Sequence, residues 1–357
     1  KEILFTSGGT ESNNMAIIES AIANKRRGNH VIVSSVEHSS VKEPFRYLEE
    51  NGFNVTYLPV DNRGLVSVDA LKEALDEETI LVSVMLVNNE IGTIEPVEKI
   101  GKIVKDYNKD IIFHVDAIQA YGKMRIYPKK MNIDLLSVSG HKIHGPKGTG
   151  FLFIKDKTKI KPLILGGGQQ RAMRSGTENV PGIAGLGKAA ELIYTKDFDE
   201  KVDKMYELRD YFVSELEKLD GVHINGMRGR ESAPHVVSAG FEGVRAEVLL
   251  HALEDKNIYV SFGIFTKKLY IIPVSKINGL IADVSLLCAI FGCYKLNVIT
   301  SGIGDSKNKL SMLFPIMKKK KCINILKLIL ILLLYLLLFY LTKFLVNLLY
   351  IYLYQYY

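Results

Sequence analysis

No cysteine occurs before Cys288, and the other two, Cys293 and Cys322, follow within the last quarter of the 357 residues. They have no metal-ligand companions and make no paired framework, which points away from a disulfide-built fold and towards a reducing, cytoplasmic compartment. Concentrated charge is also missing. The formal net charge is +7, yet Lys and Arg are scattered and bunch only at Lys318 to Lys321, so no nucleic-acid partner is expected. Neither an initiator Met nor a signal peptide opens the chain. Lys1 to Thr6 reads as a strand already under way, which places the native amino terminus further upstream as an expectation. What remains is 47% hydrophobic and 24% charged, enough to bury a large core in one big domain and a smaller one.

From Lys1 to about Lys155, short β-branched runs alternate with amphipathic stretches. Strands are predicted at HVIVSS from His30, NVTYLPV from Asn54, TILVSVMLV from Thr79, IIFHVDA from Ile111, DLLSVSG from Asp134 and GTGFLFI from Gly148. Helical patterns such as ESNNMAIIESAIANKR, VKEPFRYLEENG and VEKIGKIVKDYN separate them. This alternation predicts an α/β fold, a mostly parallel sheet sandwiched by helices, with ligands at the carboxyl ends of its strands. A long amphipathic helix from about Asp197 to Leu219, then HVVSAGFEG and AEVLLHALEDKN, reads as the start of a smaller α+β domain. We therefore divide the chain into a large domain at 1–195, a partial small domain at 196–262 and a divergent tail at 263–357.

The tail opens with SFGIFTKKLYIIPVSKINGL, which has no clear period, and ends in an apolar segment at 323–353. ILKLILILLLYLLLFYL approaches the roughly 20 residues that span a bilayer, with Lys on both sides, so a membrane anchor is one reading. A shifted reading frame in an AT-rich gene is the other. It is favoured because the departure begins inside the small domain, before any linker.

Three segments carry chemistry. In FTSGGTESNN a strand runs into Ser7, Gly8, Gly9 and Thr10 and a helix begins, so Gly9 and Thr10 are phosphate candidates at a helix start, or a plain cap. In HVDAIQA, Asp116 closes an apolar strand with Gln119 just beyond. Such a carboxylate pairs with a protonated pyridine nitrogen, or makes a salt bridge or cap. In SVSGHKIHGPKGTG, Ser139, His141 and Lys142 follow another apolar strand. A Lys in a partly desolvated pocket there is available as a neutral carbonyl nucleophile, although an isolated Lys is ordinarily a solvated surface residue. Pro146 follows Gly145, which breaks a phosphate-binding loop of the Walker type, and His141 with His144 lacks a third ligand, so no metal site is expected.

Taken together, TSGGTESNN, SSVEHSSV, VNNEIGTIEPV, FHVDAIQAYGK, SVSGHKIHGPKGTGFL and GGGQQRAMRSGTENV, in this order between Lys1 and Ser261, resemble the fold-type I pyridoxal-phosphate enzymes of aminotransferase class V. Cysteine desulfurases are the most similar. The resemblance implies a pyridoxal-phosphate cofactor, L-cysteine as substrate, and alanine and a persulfide as products for iron-sulfur cluster assembly or tRNA thiolation through a sulfur-acceptor or scaffold protein. It implies that Thr10, Ser139 and His141 bind the cofactor phosphate, with Gly9 giving backbone room. His38 would stack on the ring and shuttle protons, Asp116 would hold the pyridine nitrogen, Gln119 would sit at the phenolic oxygen, and Asn89 beside the phenolic oxygen and the substrate carboxylate. Lys142 would form the Schiff base and take the substrate proton. Thr177 would reach the phosphate of a neighbouring subunit, implying a homodimer, while Arg171 and Arg174 would be structural or interface residues.

The resemblance stops after Ser261. The family's reactive Cys comes on a Ser/Gly-rich segment soon after a strand like NIYVS, where this chain reads FGIFTKK. No substrate-carboxylate Arg is found beyond that point either. Cys288 and Cys293, in LLCAIFGCY, read as buried structural residues. The expectation is weak cofactor binding without sulfide release. A selenocysteine lyase or another class V lyase, and a non-catalytic membrane-anchored scaffold, are the competing readings.

Overall fold

The computed structural model describes residues 2–243, Leu249 and Ala252, and the backbone of five strands between 260 and 318. The chain divides into two compact units, Lys1–Glu242 and Gly243–Tyr357.

Seven strands form the sheet of the first unit: β1 (Ile3–Thr6), β2 (His30–Ser34), β3 (Asn54–Leu58), β4 (Thr79–Ser83), β5 (Ile112–Asp116), β6 (Leu135–Ser139) and β7 (Gly150–Ile154). Their order is β1-β7-β6-β5-β4-β2-β3. From β3 to β6 all neighbours are parallel, and β7 alone runs against both β6 and β1. The mostly parallel sheet is therefore as the sequence predicts, with one reversed strand that periodicity could not reveal. Since β1 opposes β7 and β7 opposes β6, β1 points the same way as the parallel group, and five carboxyl ends share one edge with it.

Central strands are buried on both faces, so they read as continuous apolar runs whose alternate side chains enter different cores. Val31, Val33, Leu81, Ile112 and Leu135 pack with Met15, Ile17, Phe45 and Leu48 on one face. Ile32, Val82, Phe113 and Leu136 pack with Leu71, Val97, Ile100 and Val104 on the other. The helices behind these contacts are α1 (Gly9–Asn14), continued through a π-helical turn at Met15–Glu19 into α2 (Ser20–Asn24), then α3 (Ser39–Glu50), α4 (Val68–Ala74) and α5 (Val97–Tyr107). Polar strand positions are paired inside the sheet: His114 bridges Ser83 Oγ at 2.8 Å and Ser137 Oγ at 3.0 Å.

Helices α6 (Val180–Ile193) and α7 (Phe198–Leu216) follow, then the antiparallel hairpin of β8 (Val222–Asn225) and β9 (Ser238–Phe241). The predicted helix AEVLLHALEDKN falls largely outside the described residues, as does the apolar segment at 323–353. Among the described residues no helix is long and apolar enough to cross a membrane.

In the second unit, β10 (Val260–Gly263) pairs with β11 (Thr266–Ile271), and β12 (Ile277–Asp283), β13 (Cys293–Thr300) and β14 (Leu310–Lys318) form an antiparallel sheet in that order. The stretch without a clear sequence period thus holds regular strands. Pro315 lies on the edge strand β14 where its register with β13 shifts, the kind of place where a missing backbone N–H is tolerated.

Candidate functional site

The polar residues singled out in the sequence converge on the common edge. Asp116 ends β5 and Ser139 ends β6, and these strands are register partners. One step beyond β6 the chain tightens into a 3-10 turn, Gly140–Ile143, that carries His141 and Lys142. Gly8 turns back from β1 so closely that a Cβ there would lie 3.7 Å from Ser139 Oγ, which brings the start of α1 and Thr10 beside the end of β6. Gly9 has no room for a side chain at all: an added Cβ would meet Ile118 Cδ1 at 2.1 Å. Ser139 Oγ and His141 Nδ1 are 2.8 Å apart.

Asp116 is only 4% exposed. Asn13 Nδ2 donates to its Oδ2 at 2.8 Å and the Ile118 amide donates to its Oδ1 at 2.9 Å. Burial holds its pKa above the usual carboxylate range, against the lowering effect of these two bonds and of the nearby His38. His38 caps α3, its Nδ1 accepting from the Ser40 amide at 3.0 Å. An open groove of about 370 Å³ is lined by Thr10, Asn14, Ile18, His38, Ser40 and Pro44 among others, so two of the expected ligands face one space.

Lys142 differs from expectation. It is exposed rather than partly desolvated, because it lies one turn past β6 and not within the strand. Its carbonyl accepts from Lys123 Nζ at 2.9 Å. Across from these lysines, His235 is half-buried, both its ring nitrogens lack a hydrogen-bond partner among the described residues, and its pKa is pushed down to about 4 by burial and then by Lys123 and Lys142. Asn89 and Gln119 are half-buried near the ends of β4 and β5, while Thr10 and Thr177 are exposed. Arg174 pairs within its own chain: its Nε donates to Glu11 Oε1 at 2.9 Å, and although burial raises Glu11, the bonds from Arg174 and Ser7 outweigh it and lower its pKa.

Sequence reasoning passed over Asn13, Ser40, Glu37 and His235. Asn13 lies three residues after Thr10, one helical turn along the same face, and that spacing was the one available signal. Ser40, Glu37 and His235 carry no pattern of their own; only the fold brings them to the edge.

Comparison with known proteins gives the following. The aminotransferase class-V model matches residues 1–281, and a bacterial PH domain model matches residues 235–330. The chain is 49% identical over 263 residues to cysteine desulfurase IscS of Dictyoglomus turgidum, covering 73% of this chain and 66% of that protein. It is 50% identical over 262 residues to cysteine desulfurase IscS of Methanosarcina thermophila, covering 73% and 64%. The chain thus spans just under two thirds of the length of these curated relatives. Among solved structures, a NifS-like protein aligns with a TM-score of 0.69 at 43% identity, covering 73% of this chain and 71% of that one. SspA in complex with cysteine aligns at 0.63 and 35%, covering 74% and 72%.

Proposed function

Because the chain belongs to the aminotransferase class-V family, we propose that its sheet edge holds pyridoxal phosphate and that the whole protein removes sulfur from L-cysteine, leaving alanine. The reading is carried by one observation: the buried acid Asp116 ends β5, and the adjacent strand β6 leads directly into Lys142. The residues present fit the cofactor. A carboxyl whose pKa is raised by burial gains most from a cation against it, which a protonated pyridine nitrogen supplies. Thr10, Ser139 and His141, gathered where Gly8 meets β6, suit a phosphate.

When bound, the cofactor supplies an electron sink for the bond being broken next to the amino group. This chain's residues do the rest. Asp116 would hold the ring nitrogen, Gln119 and Asn89 would serve the phenolic oxygen, and His38 would serve the ring face. Lys142 Nζ anchors the cofactor and takes the substrate's Cα proton. SspA in complex with cysteine supports cysteine as the substrate; thiolation or iron-sulfur assembly through an acceptor protein in the cytoplasm would be the context. Residues 1–195 would form the cofactor domain and 196–262 part of a small one. Thr177, exposed on the segment before α6, would complete the phosphate site of a second copy.

The thiol that receives the sulfur is not in the segment FGIFTKK, so this chain is expected to bind cofactor weakly without turnover. Added pyridoxal phosphate should give a visible absorbance band that is lost in Lys142→Ala, and L-cysteine should yield no sulfide. A band that persists in Lys142→Ala would sink the assignment.

A further inference from the structure

Asn13 is 0% exposed and sits between two groups of the proposed site. One hydrogen of its amide nitrogen goes to Asp116 Oδ2 at 2.8 Å and the other to Ser40 Oγ at 2.9 Å. In this orientation both hydrogens of the amide nitrogen are used, and the amide oxygen Oδ1 is buried without a partner among the described residues. Because Ser40 Oγ accepts from Asn13, its own hydrogen is directed elsewhere, and His38 Nδ1 lies 2.8 Å away. That same nitrogen already accepts from the Ser40 amide. Two donors on Nδ1 leave it no proton in the neutral ring, so the ring proton must be on Nε2.

We infer that Asn13 is a positioning residue that acts in two directions: through Ser40 it favours the Nε2–H tautomer of His38, and its bond to Oδ2 favours the anion of Asp116. This rests on the reading of His38 and Asp116 as the two groups that meet the cofactor ring. A single side-chain amide thus adds to the Ser40 backbone amide in selecting which nitrogen of His38 can release a proton, and it biases the charge that the ring nitrogen meets. The chain of bonds crosses from the end of β5, through α1, to the cap of α3, three elements that no local sequence pattern connects. Asn13, Ser40 and Asp116 are buried, so water competes little for the two bonds that Asn13 makes.

The test uses the full chain without cofactor, labelled with nitrogen-15 in its imidazole rings, the His38 signal being assigned by its loss in His38→Gln. In the wild type, Nδ1 should resonate as a bare nitrogen and Nε2 as a protonated one. Asn13→Leu and Ser40→Ala should each lower the ratio of the Nε2–H to the Nδ1–H form about fivefold, the equivalent of one ordinary hydrogen bond. Asn13→Leu should also bring up the infrared stretch of a protonated carboxyl that Asp116→Asn abolishes. A wild-type His38 carrying its proton on Nδ1, or a tautomer ratio untouched by the substitutions, overturns the inference. If Asn13→Leu does not fold, Ser40→Ala, which removes only a hydroxyl, decides alone. Pyridoxal phosphate is then added to the same samples. No absorbance band in the wild type would sink the proposed function while leaving the tautomer result to stand.

Discussion

Glu37 precedes His38 and is 3% exposed. Ser34 Oγ and the Met85 amide donate to its Oε1, each at 2.6 Å, and its Oε2 is buried without a partner among the described residues. Burial pushes its pKa from 4.5 up to about 8, with the Asp116 and Glu95 charges adding to the rise. Burial thus favours the protonated form of Glu37, which keeps a second negative charge away from Asp116. The sign for stability follows. Between about 4.5 and 8 the native state keeps a proton that the unfolded chain has released, so the contribution is complete below 4.5 and is lost as pH rises towards 8. At about 1.4 kcal/mol per pH unit at most, the wild type should lose about 2 kcal/mol more than Glu37→Gln between pH 6 and pH 8 in urea unfolding. Equal pH dependence in the two proteins would mean that Glu37 is ionised in the fold. Nothing in the run SSVEHSSV distinguishes this glutamate from a surface one, because its burial depends on β4 lying beside β2.

The junction of α1 with the end of β5 sets the shape of the site at the level of elements. Gly9 begins α1 directly against Ile118, whose amide also holds Asp116 Oδ1. An added methyl at Gly9 would press on Ile118 and through it on Asp116. Gly9→Ala should destabilise the protein by roughly 1–3 kcal/mol as an overpacked contact and weaken cofactor binding. Gly9→Ala with Ile118→Ala should recover much of the stability, because Cγ1 and Cδ1, the clashing atoms, are removed. Equal melting temperatures for Gly9→Ala and the wild type would show that the junction is loose. Most of the elements were legible, since β2, β4, β5 and β6 are long apolar runs and α5 is strongly amphipathic. The 3-10 turn that carries Lys142 and the π-helical turn at Met15–Glu19 were not, because hydrophobic period is nearly the same for these forms over one turn.

At the scale of the whole molecule, a shared site makes a prediction that no single chain can satisfy. If Thr177 serves a second copy, Lys142→Ala and Thr177→Ala each bind cofactor poorly alone. Unfolded together and refolded, they should form mixed dimers with one complete site, about a quarter of all sites at equal mixing. Recovery of the visible band to that level, with a sedimentation mass twice that of the chain, supports the dimer, whereas no recovery places Thr177 in the site of its own chain. The sequence alone determined the sheet, its carboxyl edge and the residues Asp116, Ser139, His141 and Lys142 along it, because period and strand ends are local properties. Only the tertiary structure decided that β7 is reversed, that Asn13 joins Asp116 to His38 through Ser40, and that Glu37 is buried. Each of these depends on which segments, far apart in the chain, exclude water from one another, and no window of sequence contains both sides of such a contact.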